Sequence, residues 1–283
     1  MSKSKKRILI FTDLDGTLLD PQDYSFEEAL PALERVRQRK IPLILCSSKT
    51  RAELELYQRK LNIGDPFISE NGGAVFIPPG YFSQVPEELK EKDKYLVLEF
   101  GVSYETIRER LSEVFGKLNV KPIGFGDLDT EEISSLLNLS DAEAKLARKR
   151  EYDEPFYFPQ RPEEEKIELA EREFKQVGLR LTAGGKLFHL HGDHDKGKAA
   201  KSLIQIFMAK WADEILTIGL GDSLNDLAML ETVDIPVLLK KEDGFYQQEI
   251  LDRLKVHKVL GMGPRGWNQA VLDLMEKYDP DAG

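Results

Sequence analysis

Apolar positions in this chain cluster in short unbroken runs separated by helical stretches, the pattern of strands buried on both faces of a parallel sheet. Residues 7–12 read Arg-Ile-Leu-Ile-Phe-Thr and stop at Asp13. Residues 26–40 place Leu30, Leu33 and Val36 on one helical face, residues 41–46 form a second apolar run, and residues 50–61 have helical charge and spacing. Pro66 to Ser69 then leads into Glu70-Asn71-Gly72-Gly73, a turn rich in residues that tolerate positive φ. This β-α-β-α-β order predicts an open α/β sheet.

The pattern changes near Pro86. Residues 94–100 alternate like a half-buried strand, 104–118 read as an amphipathic helix, 120–125 as a strand and 136–149 as a helix. An extended aromatic segment at 152–158 and a charged helix at 163–177 follow. Strands at 179–183 and 186–191 are joined by Gly184-Gly185, a hairpin signal. The parallel pattern then resumes with a helix at 197–209, a buried strand at 214–220, a helix from 225 to 232, a strand at 235–239 and a closing helix at 266–278. The expected organisation is a discontinuous α/β core, residues 1–85 and 189–283, interrupted by an α+β insert at 86–188.

With 283 residues, 41% hydrophobic and 32% charged, the chain can bury a full core without metal or disulfide support. Its net charge of −10 argues against a nucleic-acid platform, which needs a basic surface. The insert repeats that balance, so the basic run 145–150 reads as a helix face with one functional arginine, Arg150. The lone Cys46 permits no disulfide framework, and a reducing, cytoplasmic setting is expected. No run approaches the roughly 18 apolar residues of a membrane span, and the apolar stretch after the basic N-terminus is too short for a signal segment.

Chemistry concentrates where the apolar runs end. Asp13-Leu14-Asp15-Gly16-Thr17 puts two carboxylates beyond the first strand, at the edge where open α/β sheets bind ligands. Gly221-Asp222-Ser223-Leu224-Asn225-Asp226 follows another buried strand and would bring two more acids to the same edge. Such crowding calls for a cation. Ser47 and Ser48 close a third strand with hydroxyls, and Lys196 opens a helix, where ammonium and helix dipole both favour a phosphate. His189-Leu190-His191-Gly192-Asp193-His194 admits a zinc reading, but with no cysteine nearby, substrate contact by His191 or packing is the better one. The aromatics Tyr152, Phe156, Tyr157 and Phe158 read as core, and Cys46 as a small buried hydrophobe.

The order Asp-x-Asp, Ser, Lys, Gly-Asp-x-x-Asn-Asp resembles the four motifs of the haloacid dehalogenase superfamily, with Asp13 and Asp15 in the first, Ser47 in the second, Lys196 in the third and Asp222, Asn225 and Asp226 in the fourth. An acid at position 15 resembles the phosphotransfer branches, and an insert between the second and third motifs resembles the type-two caps. Cys46-Ser-Ser-Lys-Thr-Arg-Ala-Glu53, Ile68-Ser-Glu-Asn-Gly72 and Asp195-Lys-Gly-Lys-Ala-Ala200 resemble the mannosyl-3-phosphoglycerate phosphatase family more narrowly, as do the shorter stretches 150–152, 190–192 and 261–267. Where a related sugar-phosphatase branch has Thr-Gly-Arg, this chain has Ser47-Ser48-Lys49.

The resemblance implies a Rossmann-like core with an inserted α+β lid, and hydrolysis of mannosyl-3-phosphoglycerate to mannosylglycerate and phosphate. In that scheme Asp13 is the nucleophile and Asp15 the general acid and base. Mg²⁺ is held by Asp13, the Asp15 carbonyl and Asp222, with Asn225 and Asp226 behind them, and Ser47 and Lys196 carry phosphoryl oxygens. A phosphorylated glycoside would place its glycerate carboxylate at Lys49 or Arg150 and its sugar hydroxyls at Ser48, Asn71, Gly72, His191 and the insert. Another sugar phosphate, including glucosyl-3-phosphoglycerate, a phosphosugar mutase or a non-catalytic binding module are the alternatives.

Overall fold

A computed structural model describes residues 6–83, 89–184, 187–211 and 214–279. The first part of the chain forms β1 (Arg7–Thr12), α1 (Leu30–Gln38), β2 (Leu43–Cys46), α2 (Arg51–Leu61), β3 (Phe67–Ser69), β4 (Ala74–Ile77), β5 (Lys90–Lys92) and β6 (Tyr95–Glu99). The middle forms α3 (Tyr104–Lys117), β7 (Ile123–Gly124), α4 (Thr130–Leu137), α5 (Asp141–Ala147), β8 (Asp153–Tyr157), α6 (Glu164–Gln176), β9 (Leu179–Gly184) and β10 (Leu187–Gly192). The last part forms α7 (Lys196–Lys210), β11 (Ile215–Gly221), α8 (Leu227–Leu230), β12 (Ile235–Lys240), α9 (Gln248–Arg253), β13 (His257–Met262) and α10 (Gly263–Tyr278).

Two sheets result among the described residues. The larger has the order β13-β12-β11-β1-β2-β3-β4-β6-β5, and the smaller is β7-β8-β10-β9. From β13 to β3 the neighbours run parallel, while β4, β6 and β5 add an antiparallel end. Alternate residues of β1 feed opposite faces: Ile8 and Ile10 pack with α1, α2 and α10, and Leu9 and Phe11 pack with α7 and α8. In the small sheet, Phe156 and Leu190 bury one face beneath α3 and α6. The opposite face carries Asp153, His189 and His191, beside the cluster under α4 and α5.

The parallel core and separate antiparallel sheet match the expected architecture, with differences at particular elements. Residues 94–100 are not part of the insert's sheet: Tyr95–Glu99 pairs with β4 and extends the core. β10, expected to end at His191, carries the small sheet through Gly192. The expected helix 136–149 is interrupted and holds only the end of α4, which starts earlier at Thr130, together with α5, because Asn138 turns left-handed at φ 56° and Ser140 with Glu143 forms a new capping box. β4, β5, α9 and β13 lie outside the elements expected from the sequence. The hairpin turn at Gly184-Gly185 includes Gly185, which lies outside the described residues, as do Pro86 and the basic residues 1–5. Tyr152 and Phe156 are core residues, as expected.

Candidate active site

Parallel pairing of β1 with β11 aligns Thr12 with Leu220, so the chain segments after both strands leave the sheet side by side. The Asp13 amide donates to the Leu220 carbonyl at 2.9 Å, and Trp267, fully buried, donates to Thr12 Oγ1 at 3.0 Å. Asp13 and Asp222 are thereby held at one buried spot. Beyond Asp222, Asp226 turns back: its Oδ2 accepts the amides of Asp222 and Ser223, each at 3.1 Å.

Lys196 enters from the first turn of α7 with no exposed surface, and its Nζ lies 2.6 Å from Asp13 Oδ1 and 2.7 Å from Asp226 Oδ1. Burial alone would pull this ammonium down, but Asp13 and Asp226 hold it above the usual lysine range. Burial lifts the Asp13 carboxyl well above its ordinary value against the pull of Lys196, with Asp226, Asp222 and Asp15 adding to the rise. Asp222 is pushed up to about 7, first by burial and then by Asp226. One ammonium does not satisfy this much negative charge.

Asp13, Asp222 and Asp226 present carboxylate oxygens within 4.8 Å of one another. Asp226 spends both oxygens on Lys196 and main-chain amides, and Asp222 Oδ1 accepts Thr17 Oγ1 at 3.2 Å. Among the described residues no protein donor meets Asp13 Oδ2 or Asp222 Oδ2. An all-oxygen donor set with one uncommitted oxygen on each of two charge-burdened carboxylates fits a metal ion.

Around this centre, Asp15 is partly exposed and Lys49 Nζ lies 3.0 Å from its Oδ1. That ammonium also sits 4.9 Å from the Tyr24 ring centre and 5.6 Å from that of Tyr57. Ser47 is buried beyond β2, its amide bonded to the Ile68 carbonyl and its carbonyl accepting the Asn71 amide at 2.9 Å. Asn71, left-handed at φ 56°, accepts from Asn225 Nδ2 at 3.2 Å. Gly72, at φ 98°, passes so close to the start of α7 that a Cβ would lie 2.2 Å from the Asp195 carbonyl oxygen. Thus Asp13, Asp15, Ser47, Lys49, Asn71, Gly72, Lys196, Asp222, Asn225 and Asp226 form one connected neighbourhood.

Arg150 and His191 stand differently. The Arg150 guanidinium is buried and committed: it pairs with Asp153, donates from Nη1 to the Ser48 carbonyl at 3.2 Å, and lies 3.7 Å from Glu70. His191 bonds through its ring nitrogens to Gly192 O at 2.8 Å and Thr182 Oγ1 at 3.3 Å, within the small sheet. His189 is bound to Asp153 at 2.9 Å, and His194 to the Glu70 carbonyl at 3.1 Å. Glu70 is the residue that sequence reasoning missed. It is fully buried and left-handed at φ 46°, and burial pushes its carboxyl up to about 7 against Arg150. A non-glycine residue at the head of a left-handed turn was the available signal.

Fold and acidic centre together define a haloacid dehalogenase-like hydrolase, and the family model of that description matches residues 10–109. A solved sugar phosphatase of subclass IIB shares the fold, with a TM-score of 0.62 at 17% identity over 96% of this chain and 98% of that one. Among curated relatives, the glucosyl-3-phosphoglycerate/mannosyl-3-phosphoglycerate phosphatase of Methanococcoides burtonii is 48% identical, covering 95% of this chain and 97% of its own length. The mannosyl-3-phosphoglycerate phosphatase of Pyrococcus furiosus is 38% identical, covering 87% and 98%. The chain belongs to this family of glucosyl- and mannosyl-3-phosphoglycerate phosphatases. No described helix is long and apolar enough to cross a membrane.

Proposed function

We propose that the chain is a Mg²⁺-dependent phosphatase that hydrolyses mannosyl-3-phosphoglycerate and glucosyl-3-phosphoglycerate to the glycosylglycerate and inorganic phosphate. The observation that carries the reading is Asp13: one oxygen is pinned by a buried lysine, while the other is uncommitted at an acidic centre. Relatives named for both substrates support the dual assignment, and relatives named for the mannosyl ester alone support its mannosyl half.

A carboxylate oxygen of Asp13 attacks phosphorus and expels the glycerate oxygen, forming an aspartyl-phosphate. Asp15, two residues on and partly exposed, protonates that oxygen and then takes a proton from the water that cleaves the acyl phosphate. Lys196 keeps Asp13 aimed through its 2.6 Å bond and offers positive charge to the transferring oxygens, helped by the Ser47 hydroxyl. Asp13, the Asp15 carbonyl and Asp222 would hold Mg²⁺, which when bound shields the carboxylates from the anionic substrate. Asn225 and Asp226 brace the loop that carries Asp222.

Lys49, whose ammonium is paired with Asp15 at 3.0 Å and lies 3.9 Å from Glu53, is assigned to the glycerate carboxylate in preference to Arg150, which is enclosed by two carboxylates and the Ser48 carbonyl inside the inserted unit's contact with the core. Ser48, Asn71, Gly72 and, from the inserted unit, His191 are assigned to the sugar side. That unit acts as a lid, excluding water during transfer. The test is phosphate release with Mg²⁺ from both glycosyl-3-phosphoglycerates and from simple sugar phosphates, by wild type and by Asp13→Asn. The glycosyl-3-phosphoglycerates should lead by about a hundredfold in kcat/KM, the worth of a few extra polar contacts. Indifference among the esters would remove the substrate assignment, and an Asp13→Asn protein as fast as wild type would remove the nucleophile.

A further inference from the structure

The loop from Glu70 to Gly73 contacts the segment after β2, the start of α7 and two segments of the chain in or entering the inserted unit. Glu70 donates its amide to the Lys49 carbonyl at 3.0 Å and accepts at its own carbonyl from His194, just before α7. Its two carboxylate oxygens accept the amides of Glu151 and Tyr152, each at 2.9 Å, in a loop of the inserted unit between α5 and β8. Arg150 stands 3.7 Å from the same carboxylate. Gly73 accepts at its carbonyl from Phe100 and Gly101, where the chain passes into the insert, both at 2.9 Å. The Tyr152 side chain fills the space above Gly73 and Gly101, and a Cβ on Gly73 would lie 2.6 Å from Tyr152 Cβ.

A carboxylate that spends both oxygens on main-chain amides 81 and 82 residues away is a tie between two units. The tie is costly to arrange, since it buries a charge and holds a non-glycine residue in the left-handed region. Such a cost at a packed interface, next to Lys49 and Asn71, points to function.

We propose that Glu70 is a positioning residue of the reaction: its carboxylate seats the loop Arg150–Tyr152 on the core, and through its main chain that seating sets Lys49 and Asn71 at the rim of the site. Glu70 touches no substrate. It makes the docking of the lid and the completion of the glycerate and sugar contacts one event. The proposal rests on the phosphatase reading for its kinetic arm alone.

The test uses Glu70→Gln, which keeps the shape but turns an NH₂ group toward one of the two amides, with Glu70→Ala as a second variant. Hydrogen exchange at Glu151 and Tyr152 should accelerate by about tenfold or more in Glu70→Gln, while exchange in α3 stays as in wild type. For the glycosyl-3-phosphoglycerates kcat/KM should fall by about tenfold or more, whereas p-nitrophenyl phosphate, too small to use Lys49 or the lid, should lose less than about threefold. Unchanged exchange at 151–152 would overturn the proposal, as would a parallel fall on both esters, which a merely structural role predicts. A wild type that hydrolyses only the small ester would sink the substrate reading instead, leaving the exchange arm to decide on Glu70. If Glu70→Ala does not fold, Glu70→Gln carries both arms.

Discussion

Lys196→Met removes the buried cation that bridges Asp13 and Asp226 and leaves those two buried carboxylates facing each other. The ammonium is fully enclosed and bonded to them at 2.6 and 2.7 Å, so neither water nor a surface charge replaces it. Breaking a buried ion pair from one side costs about 3–5 kcal/mol, because the abandoned charge keeps its desolvation penalty. Denaturant unfolding in EDTA should register that loss. Adding Asp226→Asn should restore roughly 2 kcal/mol, since the amide oxygen still accepts from Asp222 and Ser223 while one stranded charge is gone. Turnover should fall by about a hundredfold or more, the usual effect of one lost electrostatic donor. A single variant less than about 1 kcal/mol below wild type, or a double variant no more stable than the single, would refute the argument that Lys196 neutralises the pair.

Other outcomes rest on the same geometry. Gly72→Ala must displace the Asp195 carbonyl, 2.2 Å from the new Cβ, and with it the start of α7; a loss of about 2–4 kcal/mol in unfolding free energy and reduced turnover are expected. His194 is held neutral, its value pulled down to about 4, first by burial and then by His191. Its contribution to stability is complete above the unfolded value near 6.5 and is lost as pH falls toward 4, roughly 3 kcal/mol across that window. Unfolding free energies of wild type and His194→Gln between pH 7.5 and 4.5 should therefore converge, whereas parallel curves would contradict it. Asp222, raised to about 7, has the opposite sign: metal-free protein should lose stability as pH rises from about 4 through 7. Saturating Mg²⁺ should reverse that loss, by about 2.7 kcal/mol at a hundred times its Kd, readable as a melting shift that Asp222→Asn diminishes.

Much of this was legible because the core strands are continuous apolar runs ending in acids. Arg7–Thr12 and Ile215–Gly221 announce both a buried parallel strand and the carboxylates that come after it. The edge strands were not: His257–Met262 has only Val259 buried, and Lys90–Lys92 has no apolar residue at all, so their pairing comes from neighbours and not from their own pattern. The split between α4 and α5 was written in Ser140 and Glu143 but was masked by helical periodicity on either side. At the site, local motifs reported their own chemistry. Partnerships formed across the chain were hidden, which is why Arg150 read as a free clamp and Glu70 as an ordinary turn residue.

The central claim is that Asp13 carries the phosphoryl group. Asp15→Asn should still attack p-nitrophenyl phosphate, whose leaving group needs no proton, but should lack the base that clears the intermediate. Acid quenching during turnover, followed by peptide mapping, is predicted to find a phosphoryl group on Asp13, absent when Asp13 is also changed to Asn. Steady phosphate release with no adduct at Asp13, or an adduct on another residue, would contradict the account.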